Sequence, residues 1–130
     1  MDLFFADPTE IPLPPDDVKI LSLSIDPYPD GRRVRVFLEL TPFQKKPHGD
    51  IFIINKVGDV VAGTSFIEAV TTKFEMTLHL RPIDPNGEYQ ASATLYYSIE
   101  VDDDVEGDRQ LVRSEKKIID HKTVSFSVSG

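Results

Sequence analysis

Apolar and polar residues alternate along several stretches of this chain, and this two-residue period constrains the fold more than any other feature. The alternation runs over residues 34–40, 74–80, 89–99 and 124–128. Successive side chains of a strand point to opposite faces, so each stretch predicts a strand with one face on a core and one in water. Helical spacing over three turns appears nowhere. We therefore predict an all-β protein with antiparallel sheets.

Two further stretches are strand-like but less regular. Residues 18–25 place Leu21, Leu23 and Ile25 on one face but Val18 and Ile20 on the other, which predicts a bulge or a strand that crosses between two sheets. Residues 51–54 are apolar on both faces, which suits either a covered central strand or an exposed patch. Turns rich in Pro and Gly separate the strands at residues 26–31, 56–59 and 81–87. Short strands separated in this way indicate a sandwich or a barrel.

One segment carries a resemblance to a known class of fold. The run from Leu78 to Tyr89 contains Pro82, Pro85 and Gly87. It resembles the corner before the sixth strand of immunoglobulin-like and fibronectin type III-like sandwiches, where a Tyr opens the next strand. The resemblance implies an immunoglobulin-like antiparallel β-sandwich of seven to nine strands, in which Tyr89 is the corner tyrosine. The chain has no Trp and no Cys, so it lacks the marks of antibody-type domains.

The length and the proline distribution predict one domain preceded by a short segment. A chain of 130 residues is the size of a single domain. Residues 1–17 form a Pro-rich, acidic segment without a base, and residues 18–130 form the sandwich. We expect the segment to be extended and to place Phe4 or Phe5 on an apolar patch of the domain; the alternative is that residues 11–15 dock on an aromatic groove. No leader or membrane-spanning segment is visible, which predicts a cytoplasmic protein.

The charge is concentrated in two places. Twenty-two acids and fourteen bases give a net charge of −8, which argues against nucleic acid or a membrane as the partner. Six of the acids lie between positions 100 and 108, and five lie in the first 17 residues. The immunoglobulin-like strand order would bring both to the same pole as the basic loop 41–49. The predicted charged pole consists of Lys45, Lys46, Asp102, Asp103, Asp104, Glu106 and Asp108.

Binding of calcium or carbohydrate is an alternative function for such a module. Asp102, Asp104, Glu106 and Gly107 match the opening of a calcium-binding loop, but Arg113 stands where the closing Glu is needed. We therefore predict no metal site and no cofactor. Sugar binding needs exposed aromatic rings, and with no Trp the candidates are Tyr28, Phe43, Phe52 and Tyr96.

A hydrolase is the less favoured alternative. It would need a cleft that gathers His48 or His121 with carboxylates, and the sequence contains no motif for a nucleophile or a phosphate loop. We predict no catalytic residue.

The favoured function is a non-catalytic module that binds another protein or a second copy of itself. If Ile51 and Ile53 point inward, then Phe52, Ile54 and Tyr96 point outward together from one sheet. An apolar patch of this kind marks an interaction surface. The loops of the charged pole are the second candidate surface.

Overall fold

The alternating stretches all lie in strands of the computed structural model, which describes residues 11–81, 87–104 and 110–128. For residues 102–104 and 110–112 it describes the backbone pairing alone. One short 3-10 turn, Pro15–Asp17, is the helical element of this described part. The seven strands found there are β1 (Ile20–Pro27), β2 (Arg33–Leu40), β3 (His48–Asn55), β4 (Val60–Phe66), β5 (Lys73–His79), β6 (Glu88–Asp104) and β7 (Gln110–Ser127).

The strands form two antiparallel sheets. One has three strands in the order β1-β2-β5, and the other has four in the order β4-β3-β6-β7. The prediction of an all-β, immunoglobulin-like antiparallel β-sandwich is therefore confirmed, with seven strands in the described residues. No helix in the described residues is long and apolar enough to cross a membrane.

The core lies between the two sheets and consists of the residues that the alternation predicts to point inward. Burial of a Val, Leu or Ile side chain stabilises a fold by about 1.5–3 kcal/mol relative to leaving it exposed. Because alternate residues of both sheets contribute, the core holds the sheets together and leaves the other face of each sheet available for contacts. The buried side chains include Val34, Val36, Leu38, Leu40, Ile51, Ile53, Leu78, Ala91, Ala93 and Leu95.

The register between paired strands shifts at three places, one of them between Ile53 and Ile54 in the pairing of β3 with β4. The pairing of β1 with β2 shifts between Ile20 and Ser22, which is the irregularity expected of the first strand. The pairing of β6 with β7 shifts between Leu95 and Tyr96, so that Ile119 is the extra residue of β7. Next to this bulge, Asp120 accepts a hydrogen bond of 2.7 Å from the backbone N–H of Ile20. A β7 side chain thereby ties β1 of the other sheet in place.

The corner before β6 is described in part. Residues 82–86 lie outside the described residues, whereas Tyr89 is buried at the start of β6 and its ring stacks on Phe126 at 5.5 Å. A Cβ atom at Gly87 would lie 2.8 Å from the Tyr89 hydroxyl oxygen. Only glycine leaves room for the tyrosine there, as a tight corner requires.

The hairpin of β6 and β7 extends beyond the rest of its sheet. β3 pairs with β6 as far as Tyr96, and residues 97–104 then pair with residues 110–117 of β7 alone. At about 3.4 Å per residue, these eight residues project by about 27 Å as a two-stranded ribbon. Glu100 and the backbone of residues 102–104 therefore lie in the outer part of this ribbon.

The described part of the N-terminal segment lies against the loop between β2 and β3. Leu13 forms a parallel bridge with Phe43: its N–H donates to Pro42 O at 3.1 Å, and its carbonyl accepts from Gln44 N–H at 2.9 Å. The predicted placement of Phe4 and Phe5 on an apolar patch falls outside the described residues.

Candidate functional site

The outer face of the four-stranded sheet divides into an apolar and a polar half. Ile51 and Ile53 of β3 are fully buried, so Phe52 and Ile54, which alternate with them, point away from the core. Phe52 lies opposite Gly63 of β4 and Ser92 of β6. The two strands beside β3 thus determine what surrounds each outward side chain.

The apolar half lies at β3, β4 and the turn that joins them. We call Phe52, Ile54, Val57 and Val60 the β3–β4 patch. Phe52 is 42% exposed, Val57 75% and Val60 61%, and Ile54, which pairs with Val60, is partly exposed. The Phe52 ring lies over Gly63, where an added Cβ would be 2.7 Å from Phe52 Cδ1. The glycine leaves the ring room to lie along the sheet and to present its other side to solvent.

Tyr96 does not belong to this patch, contrary to the exposed group of three expected with Phe52 and Ile54. It lies on the outer face but is only 7% exposed, because the ammonium of Lys116 lies 4.4 Å from its ring centre and His48 lies 5.3 Å away. Tyr96 pairs with His48, which lies four residues before Phe52 on β3. Side chains of neighbouring strands therefore cover the tyrosine and separate it from Phe52.

The polar half of the face is a network whose members bond to one another. Asp50 accepts hydrogen bonds from Ser65 Oγ at 2.7 Å and from Lys116 Nζ at 3.2 Å. The hydrogen bond and the charge of Asp50 raise the pKa of Lys116 above its usual value, so the ammonium stays charged over Tyr96. The His121 ring lies 2.8 Å from the Thr94 hydroxyl, Nδ1 to Oγ1. These contacts stabilise the face and use up groups that a ligand would need.

The predicted charged pole is described in part. The hydroxyl of Tyr97 donates a 2.6 Å hydrogen bond to the carbonyl of Lys45, whose ammonium lies 5.6 Å from the same ring. Burial raises the pKa of the Tyr97 hydroxyl. Lys117 pairs with Asp16 at 2.8 Å, which brings the N-terminal segment beside the base of the ribbon.

The remaining residues of the pole are less fully described. Lys46 is exposed in the same loop as Lys45. Asp102, Asp103 and Asp104 lie in β6 and are described by their backbone pairing, and Glu106 and Asp108 lie outside the described residues. The prediction of an acidic lobe beside a basic one therefore stays a prediction.

The three histidines lie on three different strands, β3, β5 and β7. His48 accepts a hydrogen bond from the Glu68 N–H at 3.0 Å, His121 contacts Thr94, and His79 is exposed on β5 in the other sheet. Within the part of the chain that is described, no group of three or more His, Asp or Glu residues could hold a metal ion. The calcium-binding alternative stays a prediction, because Glu106 and Gly107 lie outside the described residues.

A shallow groove of about 660 Å³ adjoins the β3–β4 patch at the end of the sheet. Its lining includes Ile54, which also belongs to the patch, and Lys56, Gln90 and Phe126. The groove is thus lined by both apolar and polar side chains.

Sequence reasoning missed several exposed aliphatic side chains near β4. Val57 lies in the turn predicted at residues 56–59, and Val60 opens a strand that lacks the alternating pattern. Ile67 is 71% exposed and Val70 81%, both in the connection from β4 to β5. The signal that was available is that aliphatic residues placed in or beside a tight turn have no core to enter.

The two sheets form an immunoglobulin-like β-sandwich, and solved structures share that fold. The chain matches a β-glucuronidase of Bifidobacterium dentium, complexed with coumarin-3-O-glucuronide, with a TM-score of 0.56 and 18% identity. The match covers 86% of this chain and 17% of that one. A glycosyl hydrolase family 2 member from Bacteroides cellulosilyticus matches with a TM-score of 0.52 and 17% identity, over 85% of this chain and 14% of that one.

A third structure, a β-glucuronidase of Ruminococcus gnavus complexed with a C6-substituted uronic isofagomine, matches with a TM-score of 0.50 and 14% identity, over 86% of this chain and 16% of that one. The chain thus spans only 14% to 17% of the length of these enzymes, and the likeness is one of fold. No family model and no curated protein matches the chain.

Proposed function

We propose that this chain is a non-catalytic protein-interaction module that binds through the β3–β4 patch. The observation that carries the proposal is the group of apolar side chains left exposed at one end of the four-stranded sheet: Phe52, Val57 and Val60, with Ile54 beside them. Contiguous exposed apolar side chains mark contact surfaces because their hydration is lost favourably on binding.

The composition of the patch suits a protein partner. None of its four side chains is charged, and the charged residues Lys56 and Asp59 lie around it in the β3–β4 turn. An uncharged centre with a polar rim is the usual arrangement of a protein–protein interface. Burial of one side chain of this size stabilises a complex by about 1.5–3 kcal/mol before the costs of association.

The polar half of the sheet and the described part of the pole are weaker candidates for the same role. Asp50, Lys116, Tyr96 and Thr94 already contact one another or a neighbour, and a partner would have to replace those bonds. The Lys117–Asp16 pair is solvent-exposed, and such pairs contribute little to binding.

The proposal is tested by a matched pair of variants that each add one acid at an exposed position. Phe52→Asp changes the patch, and Ser24→Asp changes an exposed residue of β1, in the other sheet. Affinity capture from native lysate, followed by quantification of each captured protein, is expected to show partners whose binding Phe52→Asp weakens at least about tenfold and Ser24→Asp leaves unchanged. Equal capture by both variants, with both shown to be folded, would refute binding through the patch.

A second candidate, a carbohydrate-binding accessory module, is favoured by the outer face beside Phe52. Gln90 and Ser92 of β6 lie on the same outer face of the sheet as the exposed Phe52 ring. Sugars bind by stacking on an aromatic ring while hydroxyl and amide groups take their hydrogen bonds. The structures of similar fold belong to glycosyl hydrolases, which supports a role beside such an enzyme.

Affinity electrophoresis through gels that contain soluble polysaccharides, including uronic acid polymers, separates the two candidates. A carbohydrate module is retarded by at least one polysaccharide, and Phe52→Ala abolishes the retardation. Migration unchanged in every gel would exclude this second candidate and leave the protein-interaction function standing.

A further inference from the structure

The outer edge of β4 is the sheet edge least protected against pairing with another strand. β4 is the terminal strand of its sheet, and Val61 O is already engaged by the N–H of Arg81 at 2.8 Å. In the described residues no strand pairs with the far side of residues 62–66. Edge strands direct alternate N–H and C=O groups outward, where they can pair with another chain.

The other edges carry the residues that discourage such pairing. β1 has Asp26 and Pro27, β5 has Lys73 and Glu75, and β7 carries Lys116, Lys117 and Lys122. Charges and prolines on an edge discourage edge-to-edge association. β4 reads VVAGTSF, with no charge and no proline. In a chain of net charge −8, two copies can therefore approach along β4 without like charges inside the strand.

Exposed aliphatic side chains lie at both ends of this edge. Val57 and Val60 lie at the beginning of β4, and Ile67 and Val70 follow its end. When a strand pairs with a copy of itself in antiparallel orientation, the beginning of each strand meets the end of the other. With the two-fold axis at Thr64, Ile67 of one copy lies opposite Val61 of the second copy and diagonal to Val60, and the same contact occurs twice about the axis.

The faces of the strand also match in this arrangement. A two-fold axis at Thr64 pairs Ala62 with Phe66 of the second copy, and Gly63 with Ser65. Gly63 and Ser65 lie opposite the outward residues Phe52 and Asp50, whereas Ala62 and Phe66 lie opposite the inward residues of β3. Outward residues therefore meet outward residues, as a continuous sheet requires.

We infer that the occupant of this edge is a second copy of the chain, added antiparallel to β4 to make one eight-stranded sheet across a two-fold axis. The inference rests on the proposed interaction function and names its partner. The two β3–β4 patches then lie on the same face of the joined sheet, beside the new strand pair.

Two substitutions of the same type test the inference. Ile67→Lys places a charge at the proposed dimer contact, outside the β3–β4 patch, and Ile118→Lys changes a similarly exposed aliphatic residue of β7, at the opposite edge. Light scattering over a concentration series gives the mass, which for the wild type is expected to rise toward twice 14.6 kDa. Ile67→Lys raises the dissociation constant by at least about tenfold, since the charge occurs twice in the dimer, and Ile118→Lys leaves it unchanged.

A wild-type chain that stays monomeric throughout the series overturns the inference, and so does a dimer that Ile118→Lys disrupts and Ile67→Lys does not. In either case, capture of a different protein that Phe52→Asp weakens still upholds the proposed function. If no dimer forms and Phe52→Asp weakens the capture of no protein, the proposed function is refuted as well.

Discussion

Asp120 joins the two sheets through a single hydrogen bond, and its replacement tests how the sandwich is closed. Its carboxylate accepts the 2.7 Å bond from the Ile20 N–H, in a partly buried position. Asp120→Ala removes the acceptor and leaves that backbone donor without its partner. Asp120→Asn keeps an oxygen in place but removes the charge.

The expected loss of stability follows from the type of hydrogen bond that is removed. A hydrogen bond to a charged group contributes about 1.5–3 kcal/mol to the free energy of unfolding. For 130 residues, at an unfolding entropy of about 2.1 cal/mol/K per residue, that loss lowers Tm by about 5–11 °C. Asp120→Asn is expected to lose less than Asp120→Ala, because the acceptor remains.

Urea and thermal unfolding followed by circular dichroism measure the effect. Asp17→Ala is the control, since it removes one acid from an exposed position of the N-terminal segment. We expect the control to stay within about 0.5 kcal/mol of the wild type. If Asp120→Ala is as stable as Asp17→Ala, the hydrogen bond between β7 and β1 does not contribute to sheet closure.

Three further predictions concern single contacts. Tyr97→Phe removes the buried hydroxyl that bonds to the loop between β2 and β3 and lowers the free energy of unfolding by about 1 kcal/mol, measured by urea titration. The hydrogen bond from the Arg32 N–H, with smaller contributions from Arg33, holds the pKa of Asp30 below its ordinary value. The carboxylate therefore stabilises the fold above its unfolded pKa and ceases to do so as the pH falls through its lower folded pKa. The stability difference between wild type and Asp30→Asn is thus constant near neutral pH and vanishes in acid, and a difference independent of pH would contradict this. Gly63→Ala places a Cβ 2.7 Å from the Phe52 ring and shifts its ring proton resonances, which would stay unchanged if the ring did not lie over the glycine.

The core could be predicted from the sequence because a two-residue period translates directly into the faces of a strand. Val36, Leu78 and Leu95, read as inward from the alternation, are buried in the structure. The bulge in the first strand was also readable, since Val18 and Ile20 break the parity of the residues after them. These inferences need only the local geometry of an extended chain.

The strands without alternation could not be bounded in this way. β7 begins at Gln110, well before the predicted stretch at residues 124–128, because its first half forms a ribbon with few apolar residues to bury. Apart from Phe66, β4 is composed of small and β-branched residues on both faces, so it carries no periodic signal. Strand pairing alone defines both elements.

The exposure of single side chains depends on neighbours that are distant in sequence. Tyr96 has the outward placement expected of it, yet Lys116 covers it from the adjacent strand, and the bulge beside it sets which β7 side chain lies there. Phe52 stays exposed because Gly63 lies beside it. Neither relation can be read before the register of the sheet is known.

Contact through β4 and the patch beside it is tested most directly by amide hydrogen exchange, measured residue by residue in dilute and in concentrated solution. The predicted result is that the amides of residues 62–66 that point away from β3, along the free edge of β4, exchange more slowly as the concentration rises. The edge amides of β5 are expected to exchange at the same rate at every concentration. Exchange in β4 that is the same at every concentration, with slowing confined to another edge or to the projecting ribbon, would contradict it.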